Sequence, residues 1–467
     1  MADADLVIIG CGPVGLMAAI RARQHGLSVV AIDRLTGVYP LPRAIGMDDE
    51  IQRLFTTAGM SDGVRACSTP MPGAEYVDGE GNRVVGYDIP AGYVASNGHH
   101  PIIAFDQPSL ERTMRTRAAD AAVDLRLGVE VTGLDGTAVH TDAGTVTGRW
   151  VIGADGASSG VRKTLGIELE DQGFDESWVV VDTTLIDPDL PLPRNCVQHC
   201  DPARVVTFVP GHGARRRWEF QLLPGEAHEA MGDTARVAEL LLPWGTPEQL
   251  QIDRVAVYRF HATVAERFRV GDVFLAGDAA HQMPPFNGQG MCSGMRDADN
   301  LAWKLAAVAA GQADDRLLDT YEAERRPHAR GQVAHSADAG RLINAIARGG
   351  ATSLESGYGG GRTFPHIEAG CVTGEHRMVG HPFPQPVLDG AGFDAMLGNG
   401  WAAVTTADTT LDLPAGLRRV DTEPDRFPDL VEPGRVVLVR PDRYTAAVTD
   451  DVARTLDALE RTGLRFG

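Results

Sequence analysis

Six residues near the N-terminus restrict the fold of this chain more than any others: Gly10-Cys11-Gly12-Pro13-Val14-Gly15. They follow an apolar run at 5–9 (Asp-Leu-Val-Ile-Ile) that reads as a buried parallel strand. They precede an alanine-rich helix expected from about Leu16 to His25 and closed by Gly26. A second apolar strand, Leu27 to Ile32, then closes on Asp33. In a strand–helix–strand unit of about 30 residues, each glycine has its own task. Gly10 permits the tight turn, Gly12 lets the backbone approach a pyrophosphate, and Gly15 allows close packing of helix on strand. The helix start adds free N–H groups and a partial positive charge. Asp33 stands where a carboxylate accepts ribose hydroxyls. The unit predicts a dinucleotide on a Rossmann-type fold and leaves open which one.

A chain of 467 residues is too long for one core, so two or three domains are expected. Helices are predicted around Asp48–Ala58 and over Asp106–Ala119, where Asp106 serves as N-cap and Pro108 sits in the first turn. From 177 to 260 the texture changes. Trp178–Leu185, Arg204–Val209, Arg217–Leu223 and Arg254–Phe260 read as strands of a largely antiparallel sheet inserted into an α/β protein. After a strand at Val273–Ala276 comes a glycine-rich loop and then a helix from about Met291 to Ala309. Met291, Met295, Ala298, Ala302 and Leu305 give that helix one core face. A further helix is expected at Leu317–Ala347. Residues 348–362, rich in glycine, read as a linker, and the rest as a small α/β unit with strands at Trp401–Thr405 and Arg435–Arg440 and a helix near Asp450–Arg461.

Charge and composition narrow the partners. A formal charge of −20 argues against general affinity for nucleic acid or anionic lipid. No run approaches the roughly 18 apolar residues of a membrane span, and a strand starting five residues from Met1 leaves no room for a leader, so a cytoplasmic location is expected. Six scattered cysteines form no disulfide framework. Cys196, His199 and Cys200 have a spacing that could supply three ligands to zinc, but no fourth ligand completes the set; structural cysteines are the expectation, with no metal.

Two further motifs specify the dinucleotide. In Leu275-Ala276-Gly277-Asp278, the acid ends a strand, where it could hold a ribityl chain; Pro284 and Pro285 stiffen the loop that follows. Gly288 and Gly290 precede the long helix, so a flavin carbonyl placed there would meet N–H donors and the positive helix end. The other motif is Gly153-Ala154-Asp155-Gly156-Ala157-Ser158-Ser159-Gly160-Val161-Arg162, which taken alone could be an ordinary Asp-Gly turn.

Together the glycine loop, Asp155-Gly156 and Gly277-Asp278 resemble the three fingerprints of the class A flavoprotein monooxygenases, the family of para-hydroxybenzoate hydroxylase. Within it, the run from Pro42 to Glu50 and the stretches Trp218-Glu219-Phe220, Gly294–Ala298 and Tyr321–Arg326 are most similar to the 3-(3-hydroxyphenyl)propionate hydroxylases. The resemblance implies a glutathione-reductase-like FAD domain (1–75, 105–176 and 265–347), a β-rich substrate domain (76–104 and 177–264) and a thioredoxin-like domain (363–467). Cys371 is the sole cysteine of that tail, which excludes a C-x-x-C pair and leaves packing or oligomerisation as its role; a homodimer is one assembly open to it.

The resemblance also implies residue roles. Pro13 and Val14 would join Gly10, Gly12 and Gly15 around the FAD phosphates, with Asp33 and Arg34 at the adenosine end. Arg43 and Gln107 would contact phosphates and ribityl chain, and Asp155 would serve both FAD and NAD(P)H. Asp278, Pro285, Gly288, Gly290 and Met291 would surround the ribityl and isoalloxazine parts.

The implied reaction is hydroxylation of a phenolic ring through a flavin C4a-hydroperoxide, with NADH or NADPH and O2 consumed. Such chemistry gains from a base that deprotonates the phenol; His199, Tyr258 and His261 are the candidates in the β-rich block. A tailoring oxygenase acting on a polyketide or other fused aromatic is the main alternative. A non-catalytic flavin-binding redox module is a further one. A halogenase is disfavoured because no Trp-x-Trp occurs.

Overall fold

Strand Ala4–Ile9 lies at the middle of a mostly parallel sheet, between Gly144–Gly153 and Val29–Asp33. It carries almost no polar side chain because both of its faces are covered, as a parallel sheet requires. Val273–Leu275 extends the sheet beyond Gly144–Gly153, and Asp124–Leu127 extends it beyond Val29–Asp33. Helix Pro13–Gln24 packs on helix Gly290–Ala309, which brings the two glycine-rich loops together although they are nearly 280 positions apart in the chain. The computed structural model describes residues 2–350, 364–388 and 391–466. The expected linker, 348–362, lies outside them from residue 351 onward.

The second sheet is the β-rich block, and its strand order is His281–Gln282, Leu250–Ala265, Leu169–Leu185, Arg215–Gln221, Val205–Pro210, Cys196–Cys200, Gly73–Asp78 and Arg83–Asp88. Its neighbours are antiparallel except for Cys196–Cys200 on Gly73–Asp78. Strand Leu169–Leu185 runs straight through position 177, so the boundary expected between 176 and 177 falls inside a strand. Alternation divides the sheet's two faces. Trp218, Phe220, Phe208, Val179 and Val181 point to a core capped by helix Thr234–Leu241 and Trp244. Arg217 and Glu219 point the other way, toward the N-terminal domain.

One cross-strand row on that second face organises the site. Glu219 stands opposite Thr207, Thr207 opposite Gln198, and Gln198 opposite Tyr76. Three consecutive strands and one from more than 100 positions earlier thus deliver four polar side chains to a single line.

In the C-terminal unit the strands run Leu417–Asp421, Trp401–Thr405, Val436–Val439, Thr445–Thr449, followed by helix Val452–Glu460. Buried charge attaches it to the rest. Glu324 on helix Arg316–Ala347 is 2.8 Å from both Lys304 and Arg440, and Asp442 accepts from Trp303 at 3.0 Å. Arg53 reaches Asp394 at 2.6 Å. No helix among the described residues is long and apolar enough to cross a membrane.

Candidate functional site

The glycine loop separates two kinds of glycine. Gly10 has φ +103°, and a Cβ there would sit 2.4 Å from the Ala154 carbonyl oxygen, so no other residue fits. A Cβ on Gly15 would sit 1.9 Å from the Gly10 oxygen. Gly12 is different: it caps helix Pro13–Gln24 with extended backbone, lines a cavity together with Pro13 and Val14, and its Cβ position meets nothing within 4 Å. Gly10 and Gly15 are held by protein, and Gly12 by the open space in front of it. Asp33 accepts the Cys11 N–H at 2.6 Å and the Leu35 N–H at 2.8 Å, so it shapes the loop from behind. Arg34 is exposed and outside the cavity wall.

The two acidic motifs meet across the cleft. Asp155 accepts the first two N–H groups of helix Gly160–Thr164, from Gly160 at 2.7 Å and Val161 at 3.2 Å, while Ser159 is its N-cap; the other Asp155 oxygen, Oδ1, is buried without a hydrogen-bond partner. Arg162 donates to the carbonyls of Ala157 and Ala279, both at 2.9 Å, and so ties one motif to the other. Asp278 opens into the cavity, with Gly277 and Ala279 buried on either side of it. Desolvation by the protein around the cleft raises its pKa above the ordinary carboxylate value, against the pull of His281 and Arg43. Beneath it, Asp297 accepts from the Gly277 N–H at 3.1 Å, lies 2.7 Å from His281 Nε2 and receives Arg325 at 2.9 Å. Pro285, Gly288, Gly290 and Met291 line the wall where helix Gly290–Ala309 begins.

A third segment joins the domains. Gln107 Oε1 accepts the N–H groups of Arg43 at 2.8 Å and Ala44 at 2.7 Å. From the sheet, Arg217 donates to the Arg43 carbonyl at 2.8 Å and the Pro42 carbonyl at 2.9 Å, and Arg254 also reaches Pro42. Both arginines share Asp182. Arg43 and Gln107 therefore lie on the wall together, with the Arg43 side chain over the Tyr39 ring.

Of the three candidate bases, His261 lines the cavity, partly exposed and 3.6 Å from Asp175. His199 does not. Strand alternation turns it to the opposite face, edge-on to Trp244, while Cys196 and Gln198 face the cavity. The same alternation separates His199 from Cys196 and Cys200, so the three do not converge as metal ligands would. Tyr258 is stacked on Phe260, with Arg254 over its ring, and lies outside the wall.

The group that residue-type reasoning passed over is Glu219. It is 4% exposed and lines the cavity, and its nearest cation is Arg217 at 3.9 Å. Burial pushes its pKa up to about 7; Arg217 opposes this and Asp182 reinforces it. The whole cavity measures ≈ 400 Å³ and joins the glycine-loop cleft to a pocket walled by Met71, Tyr76, Phe260 and Phe286.

These residues fit FAD. Open space before a helix N-terminus suits a pyrophosphate, an acid aimed into the cleft suits the ribityl hydroxyls, and a second helix start suits a flavin carbonyl. Residues 3–336 match the family model described as FAD binding domain, and the chain belongs to that family. Within it the chain is a class A flavoprotein monooxygenase, an FAD-dependent aromatic hydroxylase. It is 34% identical over 433 residues to a probable NADH-specific resorcinol 4-hydroxylase of Rhodococcus jostii (strain RHA1), covering 87% of this chain and 80% of that one. It is 36% identical over 357 residues to a 3-(3-hydroxy-phenyl)propionate/3-hydroxycinnamic acid hydroxylase of Escherichia coli (strain SMS-3-5 / SECEC), covering 73% of this chain and 62% of the longer relative. In fold it is similar to aklavinone-11 hydroxylase in complex with FAD and aklavinone, with TM-score 0.81, 24% identity and 99% of each chain covered.

Proposed function

We propose that this chain uses NADH to hydroxylate a phenol of one aromatic ring. The observation that carries this reading is the continuity of one cavity from Gly12 and Asp278 to the aromatic-walled pocket on the sheet. FAD, when bound, supplies the electron transfer and oxygen activation. The chain's own residues do the rest. Gly12 and the start of helix Pro13–Gln24 hold phosphate, and Asp278 orients the ribityl chain. Gln107 and Arg217 fix the Pro42–Ala44 segment at the join of the two domains. Phe260, Phe286 and Tyr76 give the substrate ring flat apolar contact and keep water out.

The flavin ring and the substrate must share this cavity. The resorcinol hydroxylase relative supports NADH as donor and a small phenol as substrate. We read the C-terminal unit as thioredoxin-like from its mixed four-stranded sheet followed by a helix, and its role as packing, because Cys371 is buried and its thiol is pushed up to about 11.

The test is oxidation of NADH and of NADPH by the FAD-loaded protein with resorcinol, 3-hydroxyphenylpropionate, hydroxybenzoates and polycyclic phenols, measuring hydroxylated product and peroxide. Resorcinol-stimulated NADH oxidation with a hydroxylated product is expected. Oxidation unaffected by every phenol, or stimulated by polycyclic phenols alone, would refute the reading.

A further inference from the structure

Two carboxylates line the cavity among the described residues, Asp278 at the cofactor end and Glu219 at the sheet end. Glu219 sits in a polar row. Thr207 donates its hydroxyl to Gln198 Oε1 at 2.5 Å, which leaves the lone pairs of Thr207 Oγ1 turned to neighbours as acceptors. A ring lying against the row would meet acceptors at Glu219 and Thr207, and apolar side chains at Val209 and Ile102.

We propose that Glu219 accepts the proton of the substrate's phenol hydroxyl, and that its charge makes the pocket select phenols bearing no carboxylate of their own. This rests on the phenol-hydroxylase reading above. The selectivity follows from the surrounding cations. Arg217 is committed to Asp182 and to two backbone carbonyls, and Arg259 is bonded to Asp175. Among the described residues the lining arginines of the sheet are thus committed, and Arg43, the other arginine of the lining, acts on Asp278 at the cofactor end; a substrate carboxylate in the sheet half would lie beside Glu219, whereas a neutral hydroxyl meets the acceptor it needs.

The proton transfer follows from the chemistry of the ring. As a ring carbon bonds to one oxygen derived from O2, the O–O bond breaks and the second oxygen leaves as water with the two electrons that NADH supplies; the ring loses electron density and the phenol O–H becomes far more acidic. The O–H bond breaks, its electron pair moves into the ring to leave a dienone, and the proton goes to a Glu219 oxygen. When the dienone loses its C–H proton to solvent and regains aromaticity, Glu219 returns its proton to the substrate oxygen. Glu219 ends as a carboxylate, and the ring has gained one hydroxyl. A base that titrates near neutral pH suits both halves of this exchange.

The charged and titratable groups around Glu219 are Arg217 on its own strand, Asp182 and Arg254 on neighbouring strands, and Tyr76 at the far end of the row. Arg43, His261 and Asp278 line the same cavity from other elements.

The test compares FAD-loaded wild type with Glu219→Gln and Glu219→Asp, with FAD content and melting temperature confirming the fold. With resorcinol, the wild-type kcat should fall on the acid side of an apparent pKa near 7. In Glu219→Gln that limb should vanish and kcat should drop by about 10²- to 10⁴-fold. Independently of turnover, infrared difference spectra should show a protonated carboxyl band titrating near 7 in wild type and absent from Glu219→Gln. Binding followed by flavin absorbance should favour resorcinol over 3-hydroxyphenylpropionate in wild type, and Glu219→Gln should narrow the ratio.

If Glu219→Gln does not retain FAD, Glu219→Asp carries the test: a reduced kcat with the limb kept supports the role. An unchanged limb and rate in Glu219→Gln, or an unchanged kcat in Glu219→Asp, would overturn it while leaving phenol hydroxylation intact. Wild type that hydroxylates no phenol would instead overturn the parent reading.

Discussion

Replacing Gly12 and Gly15 separately by alanine should split folding from cofactor binding. On Gly15 the new methyl would lie 1.9 Å from the Gly10 carbonyl oxygen, 3.0 Å from its carbon and 3.3 Å from Ile8 Cγ2. A carbon–oxygen contact needs about 3.3 Å, so helix and loop must separate by over ~1 Å. Overpacking of that kind costs about 1–3 kcal/mol or more. At 3 kcal/mol, a domain of 150–250 residues loses roughly 6–12 °C in melting temperature. Gly12 has φ −74° and ψ −177°, backbone that alanine adopts freely, and no atom lies within 4 Å of the added carbon. Stripped Gly12→Ala should therefore melt within about 0.5 kcal/mol of wild type. Its FAD affinity should nonetheless fall, because the methyl occupies the approach to the helix N–H groups. Losing one charge-assisted hydrogen bond costs about 1.5–3 kcal/mol, or roughly 10- to 150-fold in Kd. Thermal melts of the stripped proteins and fluorescence titration with FAD measure the two effects. A Gly12→Ala protein that melts as low as Gly15→Ala, or that binds FAD as wild type does, would refute the division of roles.

Glu324→Gln should destabilise the protein by about 3–5 kcal/mol, since it leaves Lys304 buried without its carboxylate partner and Arg440 with Asp442 alone. Burial alone would raise the Glu324 pKa, but Arg440, Lys304 and the Cys371 N–H hold it down at about 2, from an ordinary 4.5. Its contribution is thus complete above pH 4.5 and lost as pH falls toward 2, so urea midpoints should decline over that window, and less steeply in Glu324→Gln. Gln107→Ala removes the acceptor for two backbone N–H groups of the Arg43–Ala44 turn and should weaken FAD retention, read from the FAD content of the purified protein. Burial pushes the Cys11 and Cys200 thiols up to about 12 and those of Cys67 and Cys371 to about 11. A thiol reagent at pH 8 should therefore label cavity-lining Cys196 first, with bound phenol slowing it; labelling of Cys11 at the same rate would contradict that order.

Local motifs were legible and long-range register was not. Asp106 caps its helix through the Ser109 N–H as composition implies, and the helix ends at 309 and 347 fall where the apolar spacing stops. The expected strand Trp401–Thr405 matches its bounds residue for residue. Each of these depends on neighbours within a few positions. Glu219 depends on Thr207 and Gln198 from the two preceding strands and, through Gln198, on Tyr76, whose strand lies more than 100 positions earlier. Its altered acidity comes from burial, which the letters Trp-Glu-Phe do not display, although their alternation with Arg217 hinted at a two-faced strand. His199 shows the converse error: a residue type suited to catalysis, turned to the wrong face by the same two-residue period.

The cross-strand row has a practical meaning for anyone wishing to retune this enzyme. Thr207, Gln198, Tyr76 and the neighbouring Val209 project from backbone already secured by the sheet ladder, so their side chains can be exchanged like tiles without cutting a strand. The glycine loop offers no such latitude at Gly10 or Gly15, where the backbone itself fills the space. A library confined to the row would explore new phenols on an untouched cofactor cradle, and its members would differ in appetite rather than in fold.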